Sequence, residues 1–167
     1  MQHPSESLIR GLAKLLQDLG QASEDPTELR QELLRETGAW AVGVWRVRGA
    51  SLEQVLFAAA KGFDPLVARE FEAATRDVPL DRTQLGIVNA VVHQRPARAL
   101  AMDQAGELRQ SAGWLERFGA KCSLSCPLRD SESRIVGVIA VSWRELVNES
   151  DEAYLQLLTL ADAISRN

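Results

Sequence analysis

Cys122 and Cys126 stand four residues apart in the segment KCSLSCPL and carry the most reactive type of side chain in the sequence. A cysteine thiolate can act as a nucleophile or a redox centre. If 121–128 is a strand, both side chains lie on one face with Cα atoms about 13 Å apart at ~3.3 Å per residue, beyond the ~7 Å limit for a disulfide. We predict two free thiols packed as small buried residues. One reactive cysteine is the alternative.

The two histidines do not complete a metal site or a catalytic triad. A structural zinc site needs two ligands besides the cysteines, and only His3 and His93 are present. His93 lies near the end of a predicted helix, where an imidazolium can interact with the last carbonyl groups; ligation of haem or a metal is the alternative. The chain has no nucleophile motif around a serine and no glycine-rich phosphate loop. The sequence therefore predicts no catalytic residue and no metal ligand.

Aromatic and polar side chains are the candidates for contact with a small molecule. Ser123 and Ser125 alternate with the cysteines, so their hydroxyls face the other side of the predicted strand. Arg98 could pair with an anionic ligand, and the tryptophans could line a pocket or stay in the core. The candidate ligand-binding residues are Trp45, Phe57, Arg98, Met102, Trp114, Phe118, Ser123, Ser125 and Trp143.

Composition excludes several classes of function. At 167 residues with 46% hydrophobic residues, the chain fits one globular domain. Its net charge is −4 and no basic stripe could neutralise a phosphate backbone, so we expect no nucleic-acid partner. No apolar run reaches the roughly 18 to 20 residues of a membrane span, and the start of the chain does not resemble a signal peptide. We expect a cytoplasmic protein without a membrane partner.

Two amphipathic helices are predicted before any strand. The first begins near Ser5 or Ser7 and ends at Gly20, and the second opens with Asp25-Pro26-Thr27-Glu28 and stops at Gly38. One apolar stripe follows the first helix at helical spacing: Leu8, Ile9, Leu12, Leu15, Leu16 and Leu19. Because this stripe holds more leucine than one contact with a sheet requires, it predicts a homodimer through the terminal helices.

Four main strands are predicted, in two hairpins. The segments 39–48 and 53–60 form the first pair, and 121–128 and 135–144 form the second across the turn Asp130-Ser131-Glu132-Ser133. Helices at 65–75, 83–94 and 109–118 and a short extended segment at 98–102 lie between the hairpins, and a last helix starts near Ser150. This order favours an α+β fold with an antiparallel sheet.

Several segments, in this order, resemble the GAF domain family. The clearest is the closing hairpin, in which Lys121, Cys122, Leu124 and Pro127-Leu128 precede a polar turn and the strand Val136-Gly137-Val138-Ile139. The others are Ala60-Lys61-Gly62-Phe63, Leu85-Gly86-Ile87-Val88 and Arg95-Pro96. The resemblance covers about residues 25–165. It implies a twisted antiparallel sheet of five to six strands, with terminal helices on one face and a ligand cavity with short helices on the other.

The resemblance also implies a function. We expect residues 1–24 to form an amphipathic helix for dimerisation or signalling and residues 25–167 to form a sensory domain. Such a domain is non-catalytic and binds a small molecule, here unidentified, with no particular cofactor indicated. It passes a signal through its terminal helices to an output such as a kinase, as in bacterial two-component histidine kinases.

Two alternatives stay open. One is a redox enzyme on the same fold that uses Cys122 or Cys126, although the cysteine-bearing loops of methionine sulfoxide reductases are not matched here. The other is a ligand-free dimerisation module whose cavity is filled with side chains. Covalent attachment of a bilin, seen in some phytochrome relatives, is not supported because neither cysteine is followed by a histidine.

Overall fold

The strands of this protein form one six-stranded antiparallel sheet in the order β3-β2-β1-β6-β5-β4. The computed structural model describes residues 3–17 and 26–167. Its strands are β1 (Ala41–Arg48), β2 (Ser51–Ala59), β3 (Asp77–Pro79), β4 (Ala97–Leu100), β5 (Cys122–Arg129) and β6 (Ile135–Trp143). Its helices are α1 (Glu6–Gln17), α2 (Thr27–Thr37), α3 (Pro65–Ala74), α4 (Gly86–His93), α5 (Arg109–Phe118) and α6 (Glu152–Ser165).

The predicted α+β fold and both hairpins are confirmed. The edge strand β3 was not predicted, because three residues that pair only with β2 leave no periodic signal in the sequence. Helix α4 begins at Gly86 and not at residue 83, since the preceding residues form a turn in which the Leu85 N–H binds the Arg82 carbonyl. The predictions for Leu19, Gly20 and Asp25 fall outside the described residues.

One face of the sheet is covered by α1, α2 and α6. Leu8 and Leu12 of α1 and Leu157 of α6 are almost fully buried against Val44, Ile139 and their neighbours on the strands. A close approach is possible because β6 carries Gly137, where a Cβ would lie 2.5 Å from the Trp45 carbonyl oxygen and 2.7 Å from Leu16 Cδ2. The terminal helices therefore lie directly behind the two central strands.

Three leucines of the α1 stripe are buried within the chain. Leu8 and Leu12 are 0% exposed and Leu16 is 8% exposed, whereas Ile9 and Leu15 are only partly buried. A homodimer through the terminal helices stays a prediction. Among the described residues of the terminal helices, Leu155 is the large apolar side chain that stays exposed, at 42%. None of the helices within 3–17 and 26–167 is long and apolar enough to cross a membrane.

Two glycines give a matched test of backbone conformation. Gly38 ends α2 with φ +63°, while Gly113 lies inside α5, and a Cβ at either position would meet nothing within 4 Å. We expect Gly38→Ala to lower the free energy of unfolding by about 1 kcal/mol through left-handed strain. Gly113→Ala should raise it by up to ~1 kcal/mol through helix propensity. Urea denaturation of both variants measures the difference; equal effects would contradict this assignment of Gly38.

Candidate functional site

The floor of a cavity lies on the sheet face opposite the terminal helices, where Trp45 folds back over Gly43. The Trp45 side chain is 1% exposed and its Nε1–H donates to the Thr75 carbonyl at 2.8 Å. A Cβ on residue 43 would lie 2.5 Å from Trp45 Cζ3 and closer still to Cη2. Only glycine at position 43 therefore leaves room for the indole in this place.

The roof is an aromatic cluster centred on Phe71 of α3. The Phe71 ring centroid lies 5.2 Å from that of Phe57, 5.1 Å from that of Trp114, 5.0 Å from that of Phe118 and 6.2 Å from that of Trp45. The contacts with Trp45, Trp114 and Phe118 are edge-to-face, a favourable ring geometry. Helix α3 itself has no fully buried residue. Phe71, together with the partly buried Val67 and Ala68, attaches this helix to the domain.

The outer edge of the roof joins α3 to α5 by charge. Arg117 pairs with Glu70, and its guanidinium lies 4.8 Å above the Trp114 ring. The side chains of the ion pair are 46% and 43% exposed, so the pair contributes only about 0–1 kcal/mol. The ion pair therefore contributes little to the attachment of α3.

The space between this floor and roof is small and uncharged. Its volume is about 60 Å³, enough for a few water molecules but far below the ~300–1,000 Å³ of ordinary ligand pockets. Its aromatic wall consists of Trp45, Phe57, Phe71, Trp114 and Phe118. Its hydroxyl groups belong to Thr75, Ser111, Ser123, Ser125 and Ser142, and its other described lining residues are glycine, alanine, valine, leucine and isoleucine. None of the described lining residues is ionisable.

Ser123 and Ser125 of β5 supply hydroxyls to this space. Ser123 pairs with Ser142 and Ser125 with Ala140 in the ladder to β6, which places all four on the cavity face. Ser125 is only 2% exposed. Within 3–17 and 26–167, neither the Ser123 nor the Ser125 hydroxyl has a hydrogen-bond partner, so both are available to a ligand.

The start of α4 adds further polar groups at one end of the cavity. The Gly86 N–H donates to Ser111 Oγ at 2.7 Å. A Cβ on Gly86 would lie 3.0 Å from Ser125 Oγ and 3.4 Å from Ser111 Oγ, so both hydroxyls lie beside the first helical residue. The N–H groups of Ile87 and Val88 have no partner among the described residues, as expected for a first helical turn.

Six of the nine predicted ligand-binding residues line this one cavity. They are Trp45, Phe57, Trp114, Phe118, Ser123 and Ser125. That they bind a ligand stays a prediction. Sequence reasoning missed Phe71, because its ring contacts join α3 to segments that are distant in the sequence, and it missed Ser111, whose role depends on the contact between α5 and α4.

The structure places Trp143 on the other side of the sheet. It pairs with Cys122, packs under the terminal helices and donates from Nε1 to the Thr37 carbonyl at 3.2 Å. Because directly paired residues of two adjacent strands share a face of the sheet, this pairing puts Trp143 on the face of the cysteines and not on that of the serines.

Arg98 and Met102 also lie outside the cavity. Arg98 stands opposite Leu124, on the helix-covered face, and donates to the Val147 carbonyl at 2.6 Å and 3.2 Å. Its role is to hold the connection between β6 and α6. Met102 is 83% exposed in the turn after β4. Neither can contact a molecule in this cavity.

Both cysteines are free and buried, on the face away from the cavity. Cys122 Sγ accepts from the Val147 N–H at 3.2 Å and donates to the Glu145 carbonyl at 3.4 Å. Burial raises the pKa of the Cys122 thiol, and it raises the pKa of Cys126 to about 12. A thiol that stays protonated and faces the terminal helices cannot attack a molecule bound on the other face.

Neither thiol should react in the native protein. We expect an aromatic disulfide reagent at pH 8 to modify less than a tenth of Cys122 and Cys126 within an hour, and to modify both at once in guanidinium chloride, because burial keeps the sulfurs protonated and covered. Spectrophotometric thiol titration measures this. Rapid modification of either cysteine in the folded state would revive the redox alternative.

His93 is exposed at the end of α4. The residues at 3–17 and 26–167 form no group of three or more histidine, cysteine or acidic side chains that could hold a metal ion.

The fold is a six-stranded antiparallel sheet with a layer of helices on one face and a cavity on the other. Comparison with models of protein families shows which family has this fold. The model of the GAF domain matches residues 27–165, and the chain therefore belongs to the GAF domain family. GAF domains are typically sensory domains of signalling proteins. No curated protein matched the chain.

Solved structures share the fold over nearly the whole chain. A GAF domain from A. aeolicus in an inactive state is 12% identical, with a TM-score of 0.63, and the match covers 95% of this chain and 91% of that one. The GAF domain of a two-component sensor histidine kinase from Bacillus halodurans is 13% identical, with a TM-score of 0.57 and coverages of 96% and 91%. The free methionine-R-sulfoxide reductase from Neisseria meningitidis is 16% identical, with a TM-score of 0.57 and coverages of 95% and 84%. At these identities the likeness shows the fold alone.

Proposed function

We propose that this chain is a non-catalytic sensory domain that binds a small molecule in the cavity and passes the signal through its terminal helices to a kinase or another output. The observation that carries the proposal is the aromatic cavity beneath α3, whose wall contains the unpartnered hydroxyl of Ser125, a residue that is 2% exposed. A hydroxyl without a protein partner can form a hydrogen bond with a molecule that enters the cavity. The cytoplasmic location expected from the sequence belongs to the same proposal.

A route from the cavity to the terminal helices supports this function. A ligand that enters must displace the Phe71 ring, which contacts Trp45. The Trp45 carbonyl in turn lies against Gly137 of β6, and Gly137 lies against Leu16 of α1. The packing of α1 on the sheet would thus differ between the empty and filled cavity, and a ligand that favours the filled form shifts the population toward it.

Thermal unfolding with a chemical panel tests the proposal. Nucleotides, haem, organic acids and single-ring aromatic compounds are added to the wild type and to Ala140→Phe, which fills the cavity from β6. We expect at least one compound at 100 times its Kd to stabilise the wild type by about 2.7 kcal/mol and to leave Ala140→Phe unchanged. Hydrogen exchange should then change in α1 and α6. Binding that persists in Ala140→Phe, or no change in these helices, would contradict the proposal.

The small cavity volume favours a second candidate, the ligand-free dimerisation module. About 60 Å³ is available while the Phe71 ring is in place, so the side chains themselves occupy most of the ligand site. In this candidate the homodimer would use surfaces of the terminal helices other than the buried leucine stripe, such as that around Leu155. A dimer in native mass spectrometry together with no stabilising compound in the panel would select it.

A further inference from the structure

The unused polar groups at the α4 end of the cavity can all donate a hydrogen bond, and only the two serine hydroxyls among them can also accept one. Ser111 Oγ already accepts from the Gly86 N–H, which leaves the Ser111 hydroxyl hydrogen to donate. Ser125 is 2% exposed as a residue, and its hydroxyl has no partner in the described part of the chain. The N–H groups of Ile87 and Val88 point out of the first turn of α4 without a backbone acceptor among these residues. A ligand oxygen that accepts hydrogen bonds can use any of these four groups, whereas a ligand donor can use only the two hydroxyls.

The acceptor they favour is an uncharged oxygen. The described lining contains no lysine, arginine or histidine to neutralise a carboxylate or phosphate. The partial positive charge of a helix N-terminus is about half an elementary charge and compensates an anion only in part. Burial of an ion without a partner is far more costly than burial of a carbonyl that accepts the same hydrogen bonds. The same lining contains no carboxylate to bind a cation.

The Phe71 ring determines the size and shape of the apolar part of the ligand. Its ring lies among four other aromatic rings, with centroid distances between 5.0 Å and 6.2 Å. Helix α3, which carries Phe71, has no fully buried residue. A ligand ring can therefore take the place of the Phe71 ring between Trp114 and Phe57 when α3 moves outward. A larger body would also have to displace Trp45, which is fully buried and hydrogen-bonded.

We infer that the cavity takes a neutral ligand with one ring and one oxygen acceptor, the acceptor bound by Ser111, Ser125 and the first turn of α4 and the ring replacing that of Phe71. This inference rests on the proposed function, since it concerns the ligand of the same cavity. It names a chemical class of ligand: aryl ketones, amides and similar compounds, as opposed to nucleotides or organic acids.

Three matched probes test the class. Acetophenone has a ring and a neutral carbonyl, ethylbenzene has nearly the same shape without an acceptor, and benzoate carries a charge. NMR titrations are run on the wild type and on Phe71→Ala, in which the ring-sized space is open. We expect Phe71→Ala to bind acetophenone at least threefold more tightly than ethylbenzene or benzoate. Equal or tighter binding of either comparison compound, or no binding of any probe, would overturn the inference.

Removal of the Ser125 hydroxyl tests whether this residue binds the carbonyl group of acetophenone. Adding Ser125→Ala to Phe71→Ala should weaken acetophenone binding about three- to tenfold, the effect of one lost hydrogen bond, and leave ethylbenzene unchanged. Ser131→Ala, in the exposed turn between β5 and β6, is the matched control and should change neither. An unchanged preference for acetophenone after Ser125→Ala would remove the α4 end from the binding site. If Phe71→Ala does not fold, Phe71→Leu opens less space and serves for the same comparisons.

The wild type separates this inference from the proposed function. If the wild type and Phe71→Ala both prefer acetophenone, the result supports the proposed function and the inferred class of ligand. A second outcome is that Phe71→Ala prefers acetophenone and the wild type binds none of the three probes. The chemistry of the cavity is then as inferred, but the Phe71 ring keeps ligands out of the native protein, and the sensory function fails. Gly86→Ala provides an independent check, because its methyl group would lie between the two hydroxyls and should weaken the binding of acetophenone alone.

Discussion

Raising the pH from 8 to 12 should lower the free energy of unfolding of the wild type by about 4 kcal/mol more than that of Cys126→Ala. The cause is the buried thiol, whose pKa is raised by burial from 9.0 to about 12. In the unfolded chain the thiol loses its proton near pH 9, while in the folded protein it keeps the proton up to about pH 12. The unfolded state therefore binds fewer protons across this window, and stability falls as the pH rises.

Urea denaturation at one-unit pH steps, with reductant present, measures this difference. Cys122→Ala is the matched control, since its thiol is also buried but accepts a hydrogen bond from the Val147 N–H, which lowers its pKa and opposes the effect of burial. We expect a smaller alkaline difference for that variant. Parallel curves for the wild type and Cys126→Ala between pH 8 and 12 would show that the Cys126 sulfur is open to water.

Gly43→Ala should lower the free energy of unfolding by about 3 kcal/mol, the upper range for overpacking in a core. The added methyl would overlap the far edge of the Trp45 indole, and this ring cannot turn away without losing its burial and its hydrogen bond to the Thr75 carbonyl. In a Trp45→Leu background the overlap is gone. There the same substitution should cost less than about 1 kcal/mol.

A double-mutant cycle isolates this coupling. The four proteins are the wild type, Gly43→Ala, Trp45→Leu and the double variant, and urea denaturation gives their stabilities. Because the two residues are in contact, we expect an interaction energy of about 2 kcal/mol. If the stability changes of the two single variants simply add in the double variant, the indole does not lie over Gly43, and the floor of the cavity is not as described.

The sequence predicted the two faces of the sheet well. Alternation along β5 put Cys122 and Cys126 on one face and Ser123 and Ser125 on the other, and the structure confirms this division. The prediction succeeded because side-chain direction in a strand depends only on the parity of the position. The helix ends at Gly38 and Gly119 were also predictable, because both residues adopt left-handed conformations that favour glycine.

Contacts between distant segments could not be predicted in the same way. Phe71 became the centre of the cavity roof through four rings that come from β1, β2 and α5. Arg98 was predicted to contact a ligand because its guanidinium could pair with an anion, but that guanidinium binds the carbonyl of a residue 49 positions later. Neither arrangement leaves a local pattern. The volume of the cavity depends on the same contacts between distant segments, so it could not be predicted from the sequence either.

The uncharged lining of the cavity has a consequence for the conditions under which this domain would operate. With no ionisable group among the described lining residues, the contacts of a neutral compound with this lining do not depend on the protonation of a protein side chain. The exposed ion pair between Arg117 and Glu70, at the outer edge of the roof, is the contact in this region that added salt would weaken.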